Sequence, residues 1–235
     1  MPQAGVPLLV NENWRWQYPL RQFKRILDTG GIGIPFRARV DYINSFPVFD
    51  MQPFLRDLEQ FILTDMGSHI LDTARYLFGD ARNLYCKTTR VHPGIRGEDV
   101  ATVLMEMGEH PVTVVCEMSY ASRTEIEHFP QTYVYVEGDC GFLELGPDYV
   151  IRETTEAGTL VRRFPPPRYE WADSRYDSHL AITPCQMDLL AHLRGEKLAE
   201  TRAEENIKTV ELVFGSYESA RIGQAIMFDH YGKGG

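Results

Sequence analysis

Between residues 84 and 164 the chain passes through one strand-like segment after another with little but turns between them. No other feature restricts the fold as much. The segments cover 84–91, 101–107, 112–120, 132–136, 142–145, 149–153 and 160–164. In the clearest, Val112, Val114, Cys116, Met118 and Tyr120 alternate with Thr113, Val115, Glu117 and Ser119, the period-two pattern of a strand with one buried face. Turn sequences such as Gly108-Glu109-His110-Pro111 and Gly146-Pro147-Asp148 join them. Connections this short make antiparallel neighbours, because a parallel return needs a crossover of about a dozen residues or more. An earlier segment, 36–46, alternates in the same way, and 47–59 reads as an irregular loop.

Helical patterns flank these strands. One covers 18–29, with Pro19 in its first turn and Gly30-Gly31 as its stop; another covers 64–78 and stops at Gly79; a third covers 184–193 and stops at Gly195. Thr201-Arg202-Ala203-Glu204 has the form of a capping box, opening a last helix whose inner face would be Ile207, Val210, Phe214 and Tyr217. The fold expected is α+β, a large open, predominantly antiparallel sheet with helices packed on one face. Ile43 opposite Val40 and Val115 opposite Val114 place apolar residues on both faces, so the outer face is expected to serve partly as a homo-oligomer interface.

Composition narrows the functional classes. A net charge of -9 without any Lys/Arg run argues against nucleic acid or an anionic membrane as the main partner, since both demand a positive patch. No run of about 18 apolar residues and no signal-peptide pattern is present, so a cytoplasmic location is expected. Cys86, Cys116, Cys140 and Cys185 are far apart and lack zinc spacing, which reads as buried thiols in a reducing compartment. The opening stretch 6–11 reads as a continuously apolar strand needing cover on both faces, as if the chain began inside a larger fold.

The chemistry concentrates in the helix over 64–78. At about 100° per residue, Asp65, His69, Asp72 and Tyr76 fall on one polar stripe, beside a core stripe of Met66, Ile70, Thr73, Ala74 and Leu77. A carboxylate four residues before an imidazole can orient it as a general base toward an alcohol. The same spacing also suits a histidine merely satisfied on a helix face, with Asp65 favoured near a helix start. A metal site on Asp65, His69 and Asp72, with His179, is a third reading, and it would make a metal-assisted hydrolase. His179 is the other histidine placed near this stripe; His92, His110, His128 and His230 read as solvated. Trp14, Arg15 and Trp16 either pack structurally or line the mouth of a site with Tyr18. Gly30-Gly31-Ile32-Gly33 is not a dinucleotide turn, because it follows a helix and precedes a strand.

Several segments together resemble the C-terminal domain of the Gfo/Idh/MocA oxidoreductases, the glucose-fructose oxidoreductase and inositol dehydrogenase group. They are Val10-Asn11-Glu12-Asn13-Trp14-Arg15-Trp16, Asp28-Thr29-Gly30-Gly31-Ile32-Gly33, Asp65-Met66-Gly67-Ser68-His69-Ile70-Leu71-Asp72, Val136-Glu137-Gly138-Asp139-Cys140-Gly141 and Tyr217-Glu218-Ser219-Ala220. The resemblance implies the substrate-binding half of an NAD(P)-dependent oxidoreductase acting on a sugar, inositol or related polyol. His69 would be the proton acceptor and Asp65 its orienting carboxylate, with Arg15, Tyr18, Asp72 and His179 around the substrate and Asp72 one layer behind it. The family's N-terminal Rossmann domain, with its glycine-rich turn and Glu-Lys-Pro lysine, has no counterpart in these residues. Residues 1–16 would then be a remnant of the last strand of that domain, and 17–235 the substrate-binding and oligomerising domain. NAD or NADP would serve the intact enzyme, and this chain alone is expected neither to bind it tightly nor to turn over. A binding or dimerisation module without catalysis is the alternative.

Overall fold

A computed structural model describes residues 5–124, 132–167 and 179–229. In chain order its elements are α1 (Tyr18–Leu27), β1 (Pro35–Ile43), α2 (Val48–Met51), α3 (Ser68–Phe78), β2 (Ala81–Thr89), β3 (Val100–Met107), β4 (Val112–Ser119), β5 (Tyr133–Gly138), β6 (Gly141–Gly146), β7 (Val150–Thr155), β8 (Gly158–Arg163), α4 (His179–Leu193), α5 (Ala203–Ile222) and β9 (Ile226–Met227). The strands form one nine-stranded sheet in the order β8-β7-β6-β5-β1-β4-β3-β2-β9. Every neighbour joined by a short turn is antiparallel, as the turns require. The exception is β1 with β4, which run parallel from Arg37↔Thr113 to Ile43↔Ser119. All of α3, β2 and β3 lie between these two strands, so the crossover has ample length.

One sheet face is buried by α1, α3 and α5. Ala38, Val40 and Tyr42 of β1, Val114, Cys116 and Met118 of β4, and Val134 and Val136 of β5 point into that core and meet Leu20, Phe23, Ile70, Leu71 and Leu212 from the helices. The opposite face carries Arg37, Arg39, Val115, Tyr135, Glu137 and Phe142, which line a shallow depression. The glycine turn before β1 is already filled. Gly30 and Gly33 have positive φ, and a Cβ on Gly33 would lie 1.8 Å from Asp139 Oδ1. Backbone bonds from Asp139 and Cys140 to Ile34 and Ile32 dock this turn onto the β5–β6 connection.

Several expectations require correction. Residues 6–11 form no strand: one bridge joins Leu9 to Arg202, and Val6 is 72% exposed. Their apolar run has no sheet beside it in this chain. α4 begins at His179, with Pro184 inside it rather than at its start. Thr201 is no helix cap, for its hydroxyl donates to the carbonyl of Val10 at 2.7 Å and Arg202 holds the N-cap position without a side-chain capping bond. The expected inner face of α5 is mostly turned outward, and of its four residues only Tyr217 packs against the core. Ile207, Val210 and Phe214 are exposed, whereas Asn206, Thr209, Leu212, Val213, Ser216 and Ser219 are buried. Small residues let α5 approach β2 closely: Ser219 Oγ accepts from the Cys86 amide at 2.9 Å, and a Cβ on Gly215 would touch the Phe228 ring. Finally, Cys140 is exposed at a turn, unlike Cys86, Cys116 and Cys185.

Candidate active site

The polar end of α3 is preceded by a π-helical turn, Leu63–Gly67, that runs directly into the α-helix. The Glu98 side chain accepts from the amides of Phe61 (3.2 Å) and Leu63 (3.4 Å) and from the hydroxyl of Tyr217 (2.6 Å), fixing where that turn begins. A π turn is wider than an α turn, so Asp65 leaves the line that α-helical spacing draws through His69. Its Oδ2 instead accepts from the Tyr120 hydroxyl at 2.9 Å. Tyr120 is held between the stacked ring of Phe61 and the edge of Tyr42. Burial raises the pKa of Asp65, while the Tyr120 bond and the His69 charge oppose the shift without cancelling it.

His69 takes its carboxylate partner from far away in sequence. Its Nδ1 lies 2.7 Å from Oε1 of Glu12, which also accepts from the backbone amide of Trp14 at 3.1 Å. The Trp14 indole stacks on the imidazole, with centroids 4.6 Å apart and planes 17° apart, and its Nε1 donates to Thr132 Oγ1 at 2.7 Å. Glu12 is buried, but the His69 side chain remains 27% exposed. The ring is thus held on one edge and one face, and among the described residues no hydrogen bond reaches Nε2. Burial by itself would lower the imidazole pKa. The charge and hydrogen bond of Glu12, with the charges of Asp65 and Asp72, outweigh it, and the net shift is upward.

Asp72 and Arg15, both expected around the substrate, are occupied with each other. Arg15 Nε and Nη2 donate to Asp72 at 2.7 and 2.6 Å, and Thr209 Oγ1 adds a bond to Asp72 at 3.0 Å. Asp72 is fully buried, so no substrate atom reaches it. Trp14, Arg15 and Trp16 are buried, which supports their packing role over a place at the mouth of a site. Tyr18 is exposed at the start of α1 with its ring edge on Phe164, and makes no contact with His69. His179 opens α4, and its side chain lies outside the described residues. The metal reading of Asp65, His69 and Asp72 fails on geometry: among the described residues no three His, Cys, Asp or Glu side chains converge. His92, expected to be solvated, lies with Nδ1 2.5 Å from buried Asp99. Sequence spacing gave no sign of Glu12, because its partner is 57 residues away.

The chain thus combines an open mixed sheet, a helical layer on one face and an imidazole held by a buried carboxylate. Residues 20–144 match the family described as the GFO/IDH/MocA C-terminal domain. The chain belongs to this family. It is 43% identical over 225 residues to a D-apiose dehydrogenase of Paraburkholderia graminis, covering 95% of this chain and 60% of that protein. It is 37% identical to a D-apiose dehydrogenase of Rhizobium rhizogenes, covering 95% of this chain and 65% of the relative. The chain therefore spans less than two thirds of the length of these relatives. Among solved structures, an oxidoreductase from Agrobacterium radiobacter in complex with NAD+, L-tartaric acid and magnesium superposes with a TM-score of 0.91 at 35% identity, over 95% of this chain and 66% of that one. A levoglucosan dehydrogenase in complex with NADH and levoglucosan shares the fold alone, with a TM-score of 0.76 at 14% identity over 97% of this chain and 68% of that one.

Proposed function

We propose that this chain is the substrate-binding half of an NAD(P)-dependent sugar dehydrogenase, with a hydroxyl of a sugar of the D-apiose type as its substrate and His69 as the base. The observation that carries this reading is the His69 ring, fixed by Glu12 and Trp14 with no hydrogen bond to Nε2 among the described residues, in a chain 43% identical to a D-apiose dehydrogenase. The described residues do not fit a dinucleotide: the glycine turn before β1 is filled by Asp139, and no other glycine turn stands between a strand and a helix as a phosphate cradle does. The nicotinamide, which supplies the hydride acceptor, belongs outside them. His69 would accept the hydroxyl proton on Nε2 when the alcohol is oxidised. Asp65 holds a second charge near the ring, within reach of the Tyr120 hydroxyl. Tyr18 and His179 remain proposed contacts for the rest of the sugar, and the outer sheet face a proposed interface between copies. No helix among the described residues is long and apolar enough to cross a membrane.

The test is NAD+ reduction by D-apiose and related sugars, followed on the full-length natural protein. His69→Asn is expected to lower kcat about 100-fold or more, the usual contribution of a general base. An unchanged kcat would remove His69 from the reaction.

A further inference from the structure

We infer that Glu12 is the positioning residue of the base: it holds the proton of His69 on Nδ1 and so leaves Nε2 as the ring's acceptor. The inference rests on the reading of His69 as base, and it replaces Asp65, the carboxylate that sequence spacing favours, with one that spacing does not show. Three features of the geometry carry it. An ionised carboxylate can only accept, so the 2.7 Å contact between Glu12 Oε1 and Nδ1 places the ring hydrogen on Nδ1. The same Oε1 accepts from the Trp14 amide at 3.1 Å, which fixes the carboxylate in place, and the Trp14 indole stacks on the imidazole it orients. One short segment thus supplies both the polar partner and the packing partner of the ring.

That segment is itself anchored. Val10 N donates to Thr201 O at 3.0 Å, Thr201 Oγ1 to Val10 O at 2.7 Å, and Ala203 N to Leu8 O at 2.9 Å, so the run before Glu12 is tied to the start of α5. Asp65 is disqualified by its own bond, since its carboxylate is turned to Tyr120. The charged groups that face His69 are then Glu12 from the N-terminal segment, with Asp65 and Asp72 from its own helix; Asp72 is neutralised by Arg15. Neutral His69 with hydrogen on Nδ1 accepts a proton on Nε2, and the resulting imidazolium is stabilised by the Glu12 charge. The hydroxyl proton moves to Nε2, and Glu12 keeps its contact with Nδ1 throughout.

The test is a long-range proton–nitrogen NMR titration of the 235-residue chain with labelled histidine, in which His69→Gln assigns the His69 signals. In the wild type the neutral ring is expected to carry hydrogen on Nδ1 and to titrate above the ordinary value of about 6.5. Glu12→Gln, which keeps an acceptor for Trp14 but removes the charge, is expected to lower the proton affinity of His69 tenfold or more. Glu12→Asp is expected to restore part of it. A neutral wild-type ring protonated on Nε2 would overturn the inference, and that measurement needs no variant to fold. So would a His69 titration unmoved in Glu12→Gln. In the full-length natural protein, Glu12→Gln is expected to shift the acid limb of kcat/KM to lower pH in parallel. Sugar oxidation that survives His69→Gln would instead sink the reading of His69 as base, whatever the tautomer.

Discussion

At the scale of single residues the polar groups around α3 are sorted by the partners they find. Four polar residues of one helical stretch look equivalent on a helical wheel, yet their partners differ: Asp65 has Tyr120, His69 has Glu12, Asp72 has Arg15, and Tyr76 lies under the guanidinium groups of Arg21 and Arg15. The Arg15–Asp72 pair is bidentate and buried, so removing one partner leaves an uncompensated charge. Asp72→Ala is expected to cost about 3–5 kcal/mol in urea denaturation, and Arg15→Met with Asp72→Leu to recover much of that loss. His69 ties stability to pH through Glu12. Its folded-state pKa is raised, so the stabilisation is fully present below the unfolded value of about 6.5 and is lost as pH rises through the folded one. Denaturation midpoints of the wild type are expected to show this loss, and those of Glu12→Gln to show it reduced. That one helical stretch carries both Asp65 and His69 was legible in the sequence, but not that they take different partners. Glu12 was not, because a contact made only by tertiary folding leaves no local period.

At the scale of elements, two helices depart from their sequence patterns for physical reasons. The turn before α3 opens to a π turn under the three-way hold of Glu98, which redirects Asp65 without disturbing the core stripe of Met66, Ile70, Ala74 and Leu77. Glu98→Ala removes the acceptor for two amides and one hydroxyl, and is expected to destabilise the chain by about 1–3 kcal/mol. α5 shows the opposite case, an apolar stripe that faces outward. Its buried side is made of small and hydroxylated residues because Thr209 must reach Asp72 and Arg75, and Ser219 must reach the backbone of β2. Leu212→Ala is expected to cost about 2–4 kcal/mol in thermal or urea unfolding. Phe214→Gln, at a position 55% exposed, is expected to shift it by less than about 0.5 kcal/mol. Equal effects at the two positions would contradict this orientation of α5.

At the scale of the whole molecule, the sheet divides a core face from a face that carries charge. Asp41 is the residue that registers this division. It lies on β1 beside Glu117 of β4, bonded by Arg39 at 2.7 Å, and its Oδ1 lacks a hydrogen-bond partner among the described residues. Burial, with the nearby Glu117, pushes its pKa up to about 7 against the pull of Arg39. A carboxyl whose folded pKa exceeds its unfolded one stabilises the fold fully below the unfolded value and loses that contribution as pH rises through about 7. Unfolding free energy is expected to fall by roughly 2–4 kcal/mol from this group between acid and neutral pH, and Asp41→Asn to flatten the fall. If copies of the chain meet on this face, Val115→Lys is expected to yield a monomer by light scattering; a wild type already monomeric would refute the interface. The amino-acid sequence by itself determined the strands, their antiparallel turns, the core stripe of α3 and the place of His69 on the polar side of that helix, because each is written in periods of two or 3.6 residues. Only the tertiary structure decided the parallel β1–β4 pair, the buried side of α5 and the choice of Glu12 for His69, because these depend on which distant groups meet and must satisfy one another's charge and hydrogen bonds.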